Sequence, residues 1–426
     1  MTRVFKFGGA LLKNASGIHK VISLMEEFGC EPLVVVVSAI GKTTNALEQL
    51  VELRLEKDKT ALVNNFYTLK QQHLQLAMAL FAEGNRTLIE AIDEEMSQLW
   101  EDLNNSYRDN FQAYDRIVSH GEKLAGIQVE HAALAKGIAL KSVPATSLIV
   151  TNSNHTNAGI DWENSEIAVQ KTIPPLLHSG HVVLTQGFIG SSSEGEITTL
   201  GREGSDFTAA ILASLLQANE VTIWKDVPGL MNADPNRFPN CVKFDALSYH
   251  EAIELAFYGA TIIHPKTIQP IKKSGIPLYV RSFYNPDIPP TCISNSAHHD
   301  EKLHSIIVKD AQVLLSINTK DLSFIAEDNL TRLFAAFSRN KIHINMMQHS
   351  AVSFSVCFDH HAQKLSQLLT DLEQDFEVKY NTGLQLITLR HYTPELIAEI
   401  TAGKKIFVEQ RSRSTFQVLV YNSSTT

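Results

Sequence analysis

The sequence predicts an α/β protein built on a mainly parallel sheet and followed by smaller α+β modules. Three observations carry that expectation. Short apolar stretches alternate with helical ones from the N-terminus onward, several apolar stretches end in glycine-rich turns, and the pattern changes after Pro286. Strands that alternate with helices imply parallel pairing with both sheet faces covered. Residues 3–7 (RVFKF) read as the first strand, 16–28 as a helix, 32–39 (PLVVVVSA) as a buried strand and 42–55 as a second helix. Residues 181–187, 220–226 and 277–282 continue the strand series. Between them, 59–108 is polar and helical, with Leu62, Phe66, Leu69, Leu76 and Leu80 at helical spacing, which reads as a helical insertion at about 59–110.

After Pro286 the stretch NPDIPPTCISNSAHHDEK combines prolines, serines and polar residues, so a domain boundary is expected near 290–303. A catalytic domain over 1–295 would precede a tail over 304–426. The tail reads as strands at 304–308 and 312–318, a helix at 328–339, strands at 341–347 and 352–358 and a helix at 362–373. LQLITL, a helix after Pro394, KKIFVEQ and FQVLVY complete it. This is twice a β-α-β-β pattern, as in small α+β regulatory modules. HHDEKLH (298–304) offers metal-ligand residue types, but a linker without a second ligand set reads as a solvated loop.

Composition narrows the function classes. A chain of 426 residues with 44% hydrophobic and 19% charged residues buries a sizeable core. Its net charge of −9 gives no electrostatic footprint for nucleic acid. The longest aliphatic run, 33–37, is far below the roughly 20 residues that span a bilayer, so no membrane partner is expected. Charges at Arg3, Lys6 and Lys13 argue against a signal peptide. Cys30, Cys241, Cys292 and Cys357 are far apart with no CxxC pair, which suits reduced thiols in the cytoplasm.

Ligands of open parallel sheets bind beyond the carboxyl ends of strands, so the strand-to-helix turns are the places to inspect. In KFGG, Lys6 ends a strand while Gly8 and Gly9 let backbone approach an anion. SAIGKTTN (38–45) lacks the glycine of a P-loop, because Val36 stands in its place; capping by Ser38 or Thr43 is the simpler reading. In VSHGEKLAG (118–126), Glu122 follows Gly121 and reads as an acid near a turn or helix start. In TTLGREGSDFTAA (198–210), Gly201 and Gly204 bracket Arg202, and Ser205 and Asp206 open a helix. A capping aspartate needs no arginine between two glycines, whereas a guanidinium fork suits a carboxylate or phosphate. WKDVPGLMNADPN (224–236) places Asp226 and Asp234 after a strand, where a carboxylate meets Mg²⁺ or a ribose or simply forms a turn.

In this order, KFGG, SAIGKTTN, SHGE, TQGFIG, TLGREGSD, DVPGLMNADPN and YGATIIHPKTI resemble the aspartate kinases of the amino acid kinase family, over about residues 3–294. The tail is similar to the paired ACT modules of that family. The resemblance implies a three-layer αβα sandwich with a mainly parallel sheet, plus ferredoxin-like ACT modules. It implies transfer of the ATP γ-phosphoryl to the side-chain carboxylate of L-aspartate, the first step toward lysine, threonine and methionine. Carried over by motif, Lys6 neutralises the phosphoryl, Gly8 and Gly9 present N–H groups, and Ser38 and Thr44 line the phosphate and aspartate end. Glu122 receives the substrate ammonium, Arg202 grips a carboxylate with Ser205 beside it, and Asp206 orients Lys6. Lys225, Asp226 and Met231 contact nucleotide, and Asn236 or Arg237 reaches the phosphates. Mg²⁺ arrives with ATP rather than at a protein site, and the chain dimerises through its ACT-like modules. The alternatives are another carboxylate acceptor or a catalytically silent amino-acid-binding regulator.

Several positions depart from the family pattern. Ala10 and Leu11 replace a Thr-Ser pair, Glu203 makes GRGGSD into GREGSD, and Thr261 replaces a lysine. In the tail, DLSFIAEDN (321–329) has no glycine and SAVS (350–353) replaces SEVS, so a weak or absent response to lysine and threonine is expected.

Overall fold

The computed structural model describes residues 1–81, 84–260, 263–321 and 323–421, and the chain divides into two compact units. The first comprises Met1–Leu230, Lys243–Ile253 and Ile262–His299; the second comprises Met231–Val242, Glu254–Thr261 and Asp300–Thr426.

Strands of the first unit are β1 (Arg3–Phe7), β2 (Leu33–Val37), β3 (Leu140–Ser142), β4 (Val150–Thr151), β5 (Val182–Gln186), β6 (Ile189–Ser192), β7 (Ile197–Thr199), β8 (Glu220–Lys225), β9 (Ala246–Ser248), β10 (Leu278–Ser282) and β11 (Thr291–Ser294). Eight of them form one sheet in the order β3-β5-β2-β1-β8-β10-β11-β9, parallel throughout except between β10 and β11. Every residue of β2, LVVVV, is buried, as a strand covered on both faces requires. The helices are α1 (Ala15–Phe28), α2 (Thr43–Glu56), α3 (Lys59–Leu80), α4 (Arg86–Asn104), α5 (Asn110–Ala135), α6 (Trp162–His178), α7 (Gly204–Leu215), α8 (Tyr249–Tyr258, running into the second unit) and α9 (Pro265–Ser274).

Phe5 and Phe7 of β1 and the odd-numbered Leu33, Val35 and Val37 of β2 share a core with α1 to α5 and Trp224. The even-numbered Val4, Val34 and Val36 are buried outside that core, and α7 packs on β1, β2 and β8. Period-2 alternation thus supplies both faces of a helix–sheet–helix sandwich. The segment read as an insertion is α3 and α4, whose Leu62, Phe66, Leu69, Leu80, Ile92 and Leu99 join the main core.

The second unit holds β12 (Ser305–Thr319), α10 (Glu327–Arg339), β13 (Ile344–His349), β14 (Ser353–Asp359), α11 (Ala362–Leu372), β15 (Phe376–Arg390), α12 (Pro394–Thr401), β16 (Lys405–Arg411) and β17 (Thr415–Tyr421). They form an antiparallel sheet in the order β13-β14-β12-β15-β17-β16. The strands expected at 304–308 and 312–318 are one 15-residue strand, β12, and LQLITL is the end of an equally long β15. A bulge makes this possible: the register shifts between Lys309 and Gln312, and Ala311 takes φ 49°, so the ladder bends without ending. Helices α10 and α11 cover one core around Val313, Leu315 and Phe354, and α12 covers another around Ile387 and Phe416.

Candidate active site

A cavity of about 640 Å³ opens in the first unit where β1, β2 and β8 end. Each turn there is forced by close packing. An added Cβ at Gly9 would lie 2.1 Å from the Ala39 carbonyl oxygen, and the Gly41 N–H donates to the Gly9 carbonyl at 2.9 Å. Gly41 itself takes φ 57°. The first two turns are therefore stitched together with no room for side chains between them. Gly9→Ala is expected to destabilise the fold by more than about 2 kcal/mol, read as a lowered midpoint in urea denaturation, because backbone rather than a flexible side chain must move.

Into this floor project the charged groups. Lys6 Nζ lies 2.6 Å from Asp206 Oδ1. Asp206 is buried in the first turn of α7, where the helix dipole favours its negative charge. Beside it the exposed Arg202 has neither ion pair nor hydrogen bond among the described residues, although it lines the cavity. Glu203 takes φ 54° and caps α7, and its Oε2 accepts the backbone N–H of His264 at 2.8 Å. The carboxylate that departs from the family pattern is thereby engaged.

Glu122 is not near a helix start. It lies in the middle of the 26-residue α5, which is capped at its start by Asp109, whose carboxylate accepts from the N–H groups of Phe111 and Gln112. Gly121 is helical because α2 and the 39–43 turn press on it: an added Cβ would meet Leu47, Ala39 and Thr43 at 3.0 to 3.2 Å. Glu122 is 3% exposed, and its Oε2 has no hydrogen-bond partner. Burial pushes its carboxyl up to about 8, although the Lys6 charge and the Ala39 N–H pull the other way.

Helix α5 is itself clamped. His120 is fully buried, with Nδ1 2.5 Å from Glu95 Oε1 and Nε2 2.9 Å from Asp102 Oδ2, both on α4. Asp115 accepts from His155 Nδ1, the Thr156 N–H and the Thr199 N–H and hydroxyl, tying α5 to β7. Such networks are costly to break when fully buried. His120→Ala is expected to lower stability by roughly 2–4 kcal/mol in chemical denaturation, since a buried ring is lost and two carboxylates each lose one of their partners, Asp102 keeping Arg116 and Glu95 keeping Lys123.

Of the residues singled out by motif, Lys6, Gly8, Gly9, Ser38, Thr44, Glu122, Arg202, Ser205, Asp206, Lys225 and Asp226 all line this cavity, as do Ala10 and Leu11. Met231 and Arg237 are not among the lining residues. Both belong to the second unit, where Arg237 pairs with Asp310 and Asp234, and the Asn236 N–H donates to Asp234. Thr261 lies outside the described residues. Helix α2 is not capped by Ser38 or Thr43: its N-cap is Lys42, without a side-chain cap. Three lining residues, Glu48, Tyr114 and Thr156, carried no signal in the motifs. Tyr114 stands two helical turns before Glu122 and donates to Glu48 at 2.6 Å, and Thr156 sits at φ 67° with its carbonyl oxygen 3.3 Å from where a Cβ on Gly201 would lie. A continuous reading of α5 places Tyr114 on the face of Glu122.

Residues 1–282 match the amino acid kinase family. "Aspartokinase 2, chloroplastic" of Arabidopsis thaliana is 31% identical over 407 residues, covering 91% of this chain and 74% of the relative. The chain belongs to the amino acid kinase family, among the aspartokinases. This kinase spans about 40% of the bifunctional aspartokinase/homoserine dehydrogenase 1 of Zea mays, to which it is 29% identical. E. coli aspartokinase III, solved in complex with lysine and aspartate, superposes with a TM-score of 0.83 at 24% identity, covering 98% of this chain and 96% of that one, and so shares the fold of both units. No helix of the described residues is long and apolar enough to cross a membrane.

Proposed function

We propose that this aspartokinase transfers the γ-phosphoryl of ATP to the side-chain carboxylate of L-aspartate in the cavity of the first unit. One observation supports the substrate assignment above the rest. A single cavity presents an arginine without an acidic partner and a buried glutamate with an unpartnered oxygen, a complement for the two charged groups of an amino acid. Glu122 takes the ammonium, Arg202 takes a carboxylate, and Thr44 and Ser205 supply hydroxyls.

Lys6 stands at the boundary between the two substrates, held by Asp206. Gly8, Gly9 and Ser38 line the phosphate side, with Lys225 and Asp226 beyond. A side-chain oxygen of aspartate attacks the γ-phosphorus and the bond to the β-phosphate oxygen breaks, giving 4-phospho-L-aspartate and ADP. The nucleophile is already ionised at neutral pH, so no general base is needed. Catalysis then consists of alignment and charge neutralisation. Of the lining carboxylates, Glu48 accepts from Tyr114, Glu122 from the Ala39 N–H and Glu203 from the His264 N–H, which leaves Asp206, paired with Lys6, and Asp226 for Mg²⁺, an ion held mostly by phosphates and water. When bound it neutralises charge on the β- and γ-phosphates.

The sheet edge at β13 and the six-stranded surface of the second unit support a homodimer, and four cysteines outside any disulfide suit the cytoplasm. With no glycine in 321–329, millimolar lysine or threonine is expected to change initial rates by less than about twofold; strong inhibition by either would contradict this. The catalytic reading is tested by ADP release with L-aspartate as acceptor.

A further inference from the structure

The turn that presents Arg202 is braced from the side of α9. Glu203 holds φ 54°, a left-handed conformation that a side chain seldom adopts and that needs support from outside the turn. The support is the His264 N–H, donated to Glu203 Oε2 at 2.8 Å. Two residues on, Lys266 Nζ donates to the Leu200 carbonyl at 2.9 Å and to Asn157 Oδ1 at 2.9 Å, and lies 4.9 Å from the centre of the Phe207 ring. Leu200 and Phe207 flank the segment that carries Arg202. An added Cβ on Gly201 would come within 2.9 Å of the same Asn157 Oδ1, so Asn157 lies directly against the turn.

We propose that Glu203 and Lys266 are positioning residues that lock the 201–204 turn to the start of α9 and so hold Arg202 ready for the substrate carboxylate. The proposal rests on the role of Arg202 given above. A guanidinium on an unbraced glycine-rich turn must be ordered at each binding event, whereas a braced one is already in place. The brace also gives Glu203 a partner, which explains how an acid is accommodated in an anion-binding turn.

The test uses the full chain, with initial rates at varied aspartate and varied ATP and calorimetric titration with aspartate. In Glu203→Ala the KM for aspartate is expected to rise about tenfold, the worth of one hydrogen bond to a charged group, with kcat within about threefold and the KM for ATP unchanged. Glu203→Gln keeps an acceptor and is expected to stay within about twofold of the unmodified chain. Lys266→Met is expected to raise the aspartate KM in the same way. Glu203→Gly relieves the strained φ while losing the bond, so a raised KM without loss of thermal stability separates positioning from misfolding. An unchanged KM in Glu203→Ala and Glu203→Gly overturns the proposal. So does a Glu203→Gln defect as large as that of Glu203→Ala, or a loss confined to kcat or to the KM for ATP. If the unmodified chain neither binds aspartate nor turns it over, the substrate reading itself fails; normal turnover with silent Glu203 variants sinks the brace alone.

Discussion

Lys6→Met is expected to lower kcat by roughly 10²- to 10³-fold, with a smaller change in the KM for aspartate, because the lysine neutralises charge that is greatest while the phosphoryl group is in flight. Lys6 is the cation near the end of β1, 2.6 Å from Asp206, just ahead of a turn in which Gly9 packs against the Ala39 carbonyl. The pair fixes the ammonium without help from substrate, so its stabilisation costs little reorganisation at the moment of transfer. Asp206→Asn keeps the shape and removes the charge that orients Lys6, and is expected to lower kcat less severely. Initial rates of both variants check this, with circular dichroism to establish that they fold. A Lys6→Met enzyme of unaltered kcat would remove the lysine from the mechanism.

The second large effect belongs to Glu122 and is read through pH. With its carboxyl pushed up to about 8 by burial, the site holds a neutral acid at pH 6 and a carboxylate only near and above pH 8. An ammonium is recognised by the charged form. The KM for aspartate is therefore expected to fall as pH rises from 6 to 8, by at most about tenfold per unit, and to level off above. Binding at pH 7 releases close to one proton, measurable by calorimetry in buffers of different ionisation enthalpy. Glu122→Gln is expected to raise the KM by roughly 30-fold or more at pH 8 and to flatten the profile. The same group affects stability with a defined sign. Its folded value lies above its ordinary value of 4.5, so between about pH 4.5 and 8 the native state holds a proton that the unfolded chain has lost. Stability from this group falls as pH rises through that window, and aspartate restores it.

Much of this was legible in residue patterns, and the exceptions have physical causes. The parallel strands announce themselves because a strand buried on both faces is a continuous apolar run, as in β2. The turns were legible because only glycine survives where Gly9 meets the Ala39 carbonyl. Glu122 was harder to place, since Gly121 looks like a helix breaker until α2 is known to press on it. Tyr114 and Thr156 escaped notice because one depends on the full length of α5 and the other on the Asp115 network, a contact across 41 residues. The merging of two expected strands into β12 depends on a bulge at Ala311, which no local pattern marks. Arg237 shows the converse: a motif position with apparent reach toward phosphate is taken up by Asp310.

The most direct test of the account couples ADP release to an indicator and compares L-aspartate, L-glutamate and no acceptor, with Lys6→Met in parallel. The account predicts ADP release that requires L-aspartate, is far slower with L-glutamate, and collapses in Lys6→Met. Release that is independent of aspartate, or no release with any acceptor, would contradict it.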